Sequence, residues 1–471
     1  MNSTKSFSSW LVVGTVSIGT FMGNVDASIV NVALPTIGSI FHVGPPVFQW
    51  VVTAYLLAIT MTLTLFGKIS DRSGKKLIFQ MGVVLFSLAS LLCGLAPSLN
   101  ILIAGRVLQG LGASMFVSTV MAIIVETVPA NRRGAAIGFI GAVIAAGHIT
   151  GPVLGGILID TFGWRSIFDV NVPIGLFAAI LGQFTLTQNV PAAKSPLDRS
   201  GTFYMMAWIL AFSLTLSNLS SWGLTSEYTK TGITLFLFFL FLFLRRETLT
   251  DTPLVRLDFF HIAEFTLGNL TGFLSYVLLF FSAVMLPLYL HHVRGQTSLD
   301  IGLLLSPQAI GMILASPFAG KLADRIGPTW PTTIGMLTIT LSDLLLTYLG
   351  RHTSLLVFSG SVFLTGLGNG LFMSPNNSSV MSSLPKEVAG SANGILATIR
   401  NLGMVVGTAT AILVLHLTLQ KHSHAPTSTV YLMGVQSVFR LAVVIALIAT
   451  LLTAIRLVRD RFHGSLVPTR H

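Results

Sequence analysis

The sequence predicts an all-α polytopic membrane protein made of two related halves. Of its 471 residues, 52% are hydrophobic and only 9% are charged, and the mean hydropathy is +0.81. A soluble protein would carry about 25% charged residues, so most of this surface is expected to face lipid. A charged segment of the pattern G-K-x-x-D-R-x-G also occurs twice between long apolar runs, at 67–74 and 320–327. Such a repeat indicates internal duplication, as in many membrane carriers.

The apolar runs define the predicted helices in chain order. About 20 residues are needed to cross the hydrocarbon core of a bilayer. Fourteen stretches are read as spans: 10–37, 47–67, 77–96, 100–125, 134–159, 166–187, 201–220, 229–244, 265–291, 298–320, 331–349, 354–374, 388–416 and 436–457. The eighth is short, but residues 235–244 are all Leu or Phe.

The distribution of Lys and Arg predicts the orientation of these spans. Cytoplasmic loops carry the excess of basic residues. With both termini in the cytoplasm, nineteen basic residues fall inside and five outside, and Arg106, Arg400 and Arg440 fall within spans. We therefore expect a multi-pass protein of the plasma or inner membrane with both termini cytoplasmic.

The repeat spacing predicts where extra helices are inserted. Asp71 follows the second span and Asp324 follows the tenth, so eight spans separate equivalent points rather than six. This indicates two six-helix bundles with two helices inserted at 201–244. The predicted organisation is a first bundle at 1–188, linkers with the inserted pair at 189–260, and a second bundle at 261–471, in a protein expected to be a monomer.

Four motifs in order resemble those of the major facilitator superfamily, and within it the fourteen-span drug:proton antiporters of the QacA/EmrB type. Segment 67–76 is similar to motif A, and 320–327 to its second copy. Segment 26–35 (DASIVNVALP) is similar to the first-span signature, 106–113 (RVLQGLGA) to motif B, and 147–156 (GHITGPVLGG) to the antiporter motif C. The resemblance covers nearly the whole chain and implies the major facilitator fold.

Ionisable residues inside spans are costly and tend to be functional. Asp26 lies among apolar neighbours, and burial favours the neutral form of a carboxyl. It is the candidate for proton coupling or substrate binding, although a hydrogen bond to a neighbouring helix would also explain it. Arg106 is expected either to modulate a carboxylate or to bond backbone carbonyls. Asp343 is a candidate second proton or cation site, or a polar contact between helices.

Glycines in the motif C segment predict a close helix contact. Gly147, Gly151 and Gly155 recur every four residues, which leaves one helix face bare. Pro152 removes a backbone donor and permits a kink. Together with Gly156, these residues are expected to form a seal between the two halves near the outer end, with simple helix packing as the alternative.

The repeated charged loops predict a cytoplasmic latch. Gly67 and Gly74 are expected to allow a tight turn, Asp71 to cap a helix or pair with Arg, and Arg72 to pair with Glu126. The resemblance implies that such a latch stabilises the outward-open state. The residues assigned to it are Gly67, Asp71, Arg72, Gly74, Glu126, Arg133, Gly320, Asp324 and Arg325. The alternative is that these charges only fix the topology.

The predicted function is a proton-coupled antiporter that exports lipophilic drugs or toxic compounds, cationic ones among them, by alternating access. One alternative is an exporter of a single metabolite such as an amino acid, a siderophore or a lipid; another is a non-transporting membrane sensor. The expected partners are a small-molecule substrate, protons and the lipid bilayer. No nucleotide-binding P-loop, metal-ligand spacing or basic face for nucleic acid is present in the sequence, so we expect neither an enzyme nor a cofactor.

Overall fold

A computed structural model describes residues 2–129, 132–187, 198–250, 253–384, 389–422 and 424–464. These residues are almost entirely α-helical, with one 3₁₀ turn at Leu257–His261. The helices are α1 (Asn2–Ile40), α2 (Pro45–Phe48), α3 (Trp50–Ser73), α4 (Lys75–Gly94), α5 (Leu99–Thr127), α6 (Arg133–Phe162), α7 (Ser166–Asp169), α8 (Asn171–Thr185), α9 (Arg199–Trp222), α10 (Glu227–Leu249), α11 (Ala263–His292), α12 (Ser298–Ile326), α13 (Thr329–Leu346), α14 (Leu355–Ser382), α15 (Ala389–Lys421) and α16 (Thr427–Gly464).

Within the described ranges, eleven helical segments are long and apolar enough to cross a membrane. Three further helices coincide with predicted spans: α1, α10 and α13, of 39, 23 and 18 residues. The all-helical, multi-span fold class is therefore confirmed, and the count of fourteen stays a prediction.

The chain forms two compact units. The first comprises Met1–Arg256 and Gly295–Leu303, and the second comprises Leu257–Arg294 and Leu304–His471. The start of α12 thus packs with the first unit. The predicted division at residue 260 did not include this return, because it was based on chain order alone.

The two units repeat the same helix pairings. In the first unit α4 packs on α5 and on α8, and α1 packs on α6 and on α8. In the second unit α13 packs on α14 and on α16, and α11 packs on α15 and on α16. This equivalence is the internal duplication that the repeated charged loop predicts.

Glycines mark the same crossing in both units. A Cβ on Gly82 of α4 would lie 2.7 Å from the Gly112 carbonyl oxygen of α5. A Cβ on Gly335 of α13 would lie 2.7 Å from the Gly368 carbonyl oxygen of α14. Only glycine lets the backbones approach this closely, so the repeat extends to individual packing positions.

Helices α9 and α10 form a hairpin with polar contacts at its base. Asp198 caps α9 by accepting from the Gly201 N–H at 3.0 Å, and Arg246 donates to Asp198 at 3.0 Å. Burial alone would raise the pKa of Asp198, but these bonds outweigh it and lower that pKa. Lys68, at the end of α3, reaches the Pro253 carbonyl oxygen at 3.5 Å. The hairpin base is therefore tied to the charged end of α3.

Candidate functional site

A buried ion pair lies at the centre of the first unit. Arg106 of α5 donates from Nη1 to Oδ2 of Asp26 of α1 at 2.5 Å, and neither side chain is exposed to solvent. An isolated charge at this depth would be expensive, and pairing offsets part of that cost. The sequence predicts a role for each residue, and the structure brings the two together.

Two amides complete the surroundings of the Asp26 carboxylate. Gln109 Nε2 and Asn171 Nδ2 both donate to Asp26 Oδ1, at 3.2 and 3.0 Å. Gln109 also donates to Ser90 Oγ at 2.7 Å. Three N–H donors, from Arg106, Gln109 and Asn171, thus point at the two oxygens of Asp26. Four helices (α1, α4, α5 and α8) thus contribute to one polar cluster.

The Arg106 guanidinium is held on several sides. Its Nε donates to the Val51 carbonyl oxygen and its Nη1 to Gln109 Oε1, both at 2.7 Å, and its Cζ lies 4.2 Å from the centre of the Tyr55 ring. Arg106 thus contacts both a carboxylate and a backbone carbonyl, so the backbone bond expected of a structural role is present and the modulating role stays a prediction. Its Nη2 has no partner in the described part of the chain.

Asp343 is a second buried carboxylate, on α13 in the other unit. It is 1% exposed, and its Oδ2 has no hydrogen-bond partner among the described residues. The neighbouring Ser342 bonds instead to Thr365 Oγ1 and the Ser361 carbonyl oxygen, both at 2.7 Å. Among the described residues, Asp343 thus lacks a set of N–H donors like the one that surrounds Asp26.

The glycine face of α6 packs against α1. A Cβ on Gly147 would lie 2.8 Å from Asn24 Cβ, and one on Gly151 would lie 1.9 Å from Ser28 Oγ. A Cβ on Gly155 would meet Ile29 at 2.7 Å. The predicted close contact is therefore present, but these three glycines make it with a helix of their own unit.

Pro152 and Gly156 lie on a different side of α6, against the start of α12. A Cβ on Gly302 would lie 2.4 Å from the Pro152 carbonyl oxygen, and one on Gly156 would lie 2.5 Å from that of Ser298. Asp160 Oδ2 accepts from the Leu299 N–H at 2.9 Å, in the first turn of α12. The expected seal between the two halves stays a prediction for all five residues.

The first charged loop differs from its prediction in the contacts of Glu126 and Asp71. Glu126, at the end of α5, forms its ion pair with Lys75, while Arg72 is exposed. Lys75 is the first residue of α4 and its side chain reaches the end of α5, whereas Arg72 lies one residue before the end of α3 and is exposed. Asp71 lies 3.8 Å from Lys75 Nζ and caps no helix.

Glycine positions in both loops show where the turns are. Gly74 separates α3 from α4 with φ 98°, a conformation that favours glycine. Gly67 lies inside α3, so its predicted part in the turn is wrong. In the second copy Gly327 ends α12 with φ 86°, and Gly320 lies inside that helix.

The remaining latch residues contribute local contacts. Arg133 begins α6, and its Nε donates to the Val128 carbonyl oxygen at 3.1 Å. Arg325 is exposed at the end of α12. The side chain of Asp324 lies outside the described part of the structure.

A polar cluster that sequence reasoning missed lies in the second unit. Arg456 of α16 is 1% exposed and forms an ion pair with Glu264 of α11. Arg456 also donates to Asn376 Oδ1 at 2.7 Å, and Ser379 hydrogen-bonds to Glu264. One sequence signal could have indicated this pair: two opposite charges lie at the ends of predicted spans. Glu264 directly precedes the ninth predicted span, and Arg456 lies at the end of the fourteenth. This cluster lies on α11, α14 and α16, the counterparts of α1, α5 and α8.

The sequence profile of the Major Facilitator Superfamily matches residues 16–408 and 268–470. The chain belongs to this superfamily. It is thus a multi-pass membrane transporter of small-molecule substrates, in a family of transporters rather than enzymes.

Curated relatives in the superfamily include transporters of different substrates. The chain is 36% identical over 404 residues to the riboflavin transporter RibZ of Clostridioides difficile, covering 85% of this chain and 87% of RibZ. It is 32% identical over 400 residues to the multidrug resistance protein Stp of Mycobacterium tuberculosis, covering 85% and 74%. It is 29% identical over 401 residues to the tetracenomycin C resistance and export protein of Streptomyces glaucescens, with the same coverage.

A solved structure has the same superfamily fold. The inward-facing, unoccupied form of a bacterial homologue of the human lysosomal transporter Spinster superposes with a TM-score of 0.69. The match covers 96% of this chain and 97% of that one at 14% identity. At this identity the likeness concerns the fold alone.

Proposed function

We propose that this transporter is a proton-coupled antiporter of the fourteen-span drug:proton type. It exports lipophilic drugs or toxic compounds, cationic ones among them, across the plasma or inner membrane by alternating access. The relatives that are a multidrug resistance protein and an antibiotic export protein support this substrate class.

The observation that carries the proposal is the buried Asp26–Arg106 pair. A carboxylate that exchanges a proton for a substrate must be shielded from bulk water and must have a reason to change its protonation state. Asp26 meets the first condition, because it is fully buried. For the second, we infer that a change at Arg106, 2.5 Å away, would free Asp26 to take up a proton.

Proton uptake at Asp26 would weaken this cluster in a defined way. A protonated carboxyl loses its ion pair with Arg106, and the guanidinium then depends on the Val51 carbonyl and Gln109, which it already contacts. Breaking a buried ion pair leaves an uncompensated charge. Helices α1 and α5 are therefore expected to shift relative to each other, which couples the proton to a change in facing state.

Other features are assigned by the same proposal. Asp343 is a second proton or cation site, since its carboxylate is buried and its Oδ2 has no hydrogen-bond partner among the described residues. Gly147, Gly151, Pro152, Gly155 and Gly156 belong to the outer gate, and the Lys75–Glu126 pair belongs to the cytoplasmic latch. The protein functions as a monomer with both termini cytoplasmic and with α9 and α10 as the inserted pair.

A second candidate function is export of one metabolite. The relative that is 36% identical is a riboflavin transporter, which favours a single planar, polar-edged substrate over many lipophilic ones. The two candidates share the fold and the coupling site and differ in selectivity.

The test is transport by the purified protein in proteoliposomes with an imposed pH gradient. Ethidium serves as a lipophilic cation and riboflavin as a single metabolite, both followed by fluorescence. We expect gradient-driven ethidium movement, and Asp26→Asn should reduce it to the level of empty liposomes because the carboxyl can no longer exchange a proton.

Asp343→Asn is the discriminating variant. It removes the proposed second proton or cation site from the second unit, so it should lower gradient-driven transport less than Asp26→Asn does. If Asp343→Asn alone removes coupling while Asp26→Asn transports normally, the proton site lies in the second unit. Movement of riboflavin but not ethidium would favour the single-metabolite function.

A further inference from the structure

Arg440 is a charged residue on the exposed face of a membrane-spanning helix. It lies in α16, is exposed, and is followed by fifteen uncharged residues, 441–455. Its guanidinium forms no hydrogen bond or ion pair within the described residues, unlike the buried Arg106 and Arg456. An arginine at this depth needs a partner, and the part of the protein that is described does not supply one.

A groove between α13 and α16 surrounds this guanidinium. It encloses about 500 Å³ and is lined by Leu344, Thr347, Tyr348, Gln436, Arg440 and Val443. Gln436 Nε2 donates to the Leu349 carbonyl oxygen at 2.7 Å, which joins the start of α16 to the end of α13. Polar groups are thus gathered at one end of the two antiparallel helices.

Two apolar stripes run from this groove towards the opposite side of the membrane. On α13 the exposed side chains include Leu337, Leu341 and Leu344, and the stripe ends at Tyr348, which is 77% exposed. On α16 the exposed positions that follow Arg440 on the same face are Val444, Leu447, Leu451, Ile455 and Val458. Exposed aliphatic stripes on spans pack against acyl chains, so Arg440 lies at the start of a lipid-facing stripe of α16.

We propose that this groove binds a phospholipid with a net negative headgroup. Arg440 pairs with the headgroup phosphate, Gln436 and the Tyr348 hydroxyl line the polar end, and the acyl chains lie along the two stripes. On the proposed topology the lipid belongs to the outer leaflet, because α13 ends and α16 begins on that side.

The charge of the groove favours an anionic lipid over a zwitterionic one. Arginine binds phosphate through paired N–H donors, and basic pockets between spans recognise anionic headgroups. None of the described residues that line the groove is acidic, so none can pair with a choline or ethanolamine ammonium. A net negative headgroup therefore gains the attraction of Arg440 without leaving a positive group unpaired.

Native mass spectrometry of the full-length protein tests the proposal. The detergent-purified protein is titrated with phosphatidylglycerol and, separately, with phosphatidylcholine of the same acyl chains. We expect the wild type to prefer phosphatidylglycerol, and Arg440→Gln to bind it about fivefold more weakly, as the loss of one basic contact implies. Arg440→Lys should keep most of the preference because it keeps the charge.

Lys421→Gln is the matched control, since it removes one exposed positive charge at the end of α15 on the same side. It should bind phosphatidylglycerol as the wild type does. Equal binding of the two lipids by the wild type, or equal loss in the Lys421 and Arg440 variants, would overturn the proposal. Displacement of the lipid by soluble glycerol phosphate would assign the site to a free anion instead.

Discussion

At the scale of single residues, Arg106 differs from an ordinary buried cation in the number of groups it serves. One guanidinium binds a carboxylate, an amide oxygen and a backbone carbonyl, and it covers an aromatic ring. The planar guanidinium of arginine makes all these contacts at the same time, whereas the compact ammonium of a lysine could make only some of them. The site is therefore sensitive to geometry as well as to charge.

Arg106→Lys is expected to impair transport without abolishing it. The ammonium can still pair with Asp26 but loses the Val51 contact on the other side. A hydrogen bond to a charged group contributes about 1.5–3 kcal/mol, so the transport rate should fall roughly ten- to a hundredfold. Rates of ethidium movement in proteoliposomes measure this. Arg106→Met should be worse, and a wild-type rate for Arg106→Lys would show that the second contact has no role.

Gly151→Leu is expected to destabilise the protein and to slow transport. Its Cβ would lie 1.9 Å from Ser28 Oγ, so α6 must move away from α1. Overpacking of this kind costs about 1–3 kcal/mol. Gly141→Leu on the same helix is the control, because a Cβ there meets no atom within 4 Å. Gly151→Leu should unfold at a lower temperature and transport more slowly than Gly141→Leu. Equal unfolding temperatures and transport rates would rule out a functional contact at Gly151.

The candidate site could be predicted from the sequence only where a charge lies inside a span. Asp26 and Arg106 stand out because buried charges are rare. Gln109 and Asn171 carry no such signal, since neutral polar residues are tolerated in spans and their partners lie on other helices. Glu264 and Arg456 are 192 positions apart at the ends of spans, where charges usually mark topology, so their pairing needed the structure.

At the scale of elements, the charged loop between α3 and α4 also contacts the end of α5. The positive φ of Gly74 sets the turn, and the turn places Lys75 against Glu126. A glycine in a tight charged loop predicts the turn from sequence. The sequence does not specify which of the cations Arg72, Lys75 and Lys76 reaches the Glu126 carboxylate, because that depends on the direction of each side chain.

A double-mutant cycle is expected to assign this pair to Lys75. Lys75→Gln and Glu126→Gln should show a coupling energy of about 0.2–1 kcal/mol, since the pair is partly exposed. Arg72→Gln with Glu126→Gln should show none. Thermal stability in detergent at low salt provides the measurement. Coupling to Arg72 alone would restore the original prediction.

At the scale of the whole molecule, the repeat explains why the fold class was predictable. Apolar length gives the helices, and the repeated loop gives the duplication that the pairings of α4 with α5 and α13 with α14 display. The assignment of residues 295–303 to the first unit was not predictable. It depends on the contacts of Gly156 and Asp160 with the start of α12, and no local sequence pattern encodes a contact of that kind.

The fourteen-span topology is expected to hold in accessibility measurements. Cys93 is the sole cysteine and is buried, so Cys93→Ala gives a cysteine-free background. In that background, a membrane-impermeant maleimide added outside should label Lys421→Cys and not Lys194→Cys, which lies outside the described residues. Labelling of Lys194→Cys from outside in intact cells would contradict the orientation and the placement of the inserted pair.

Helix α13 is short for a span, with 18 residues from Thr329 to Leu346. At 1.5 Å per residue it extends about 27 Å, against a hydrocarbon thickness of about 30 Å. Its neighbour α16 has 38 residues, so only α13 of this pair is shorter than the hydrocarbon thickness. Lipid beside α13 should be locally thinned. Transport should accordingly respond to acyl-chain length, with shorter chains relieving the strain at this flank of the second unit.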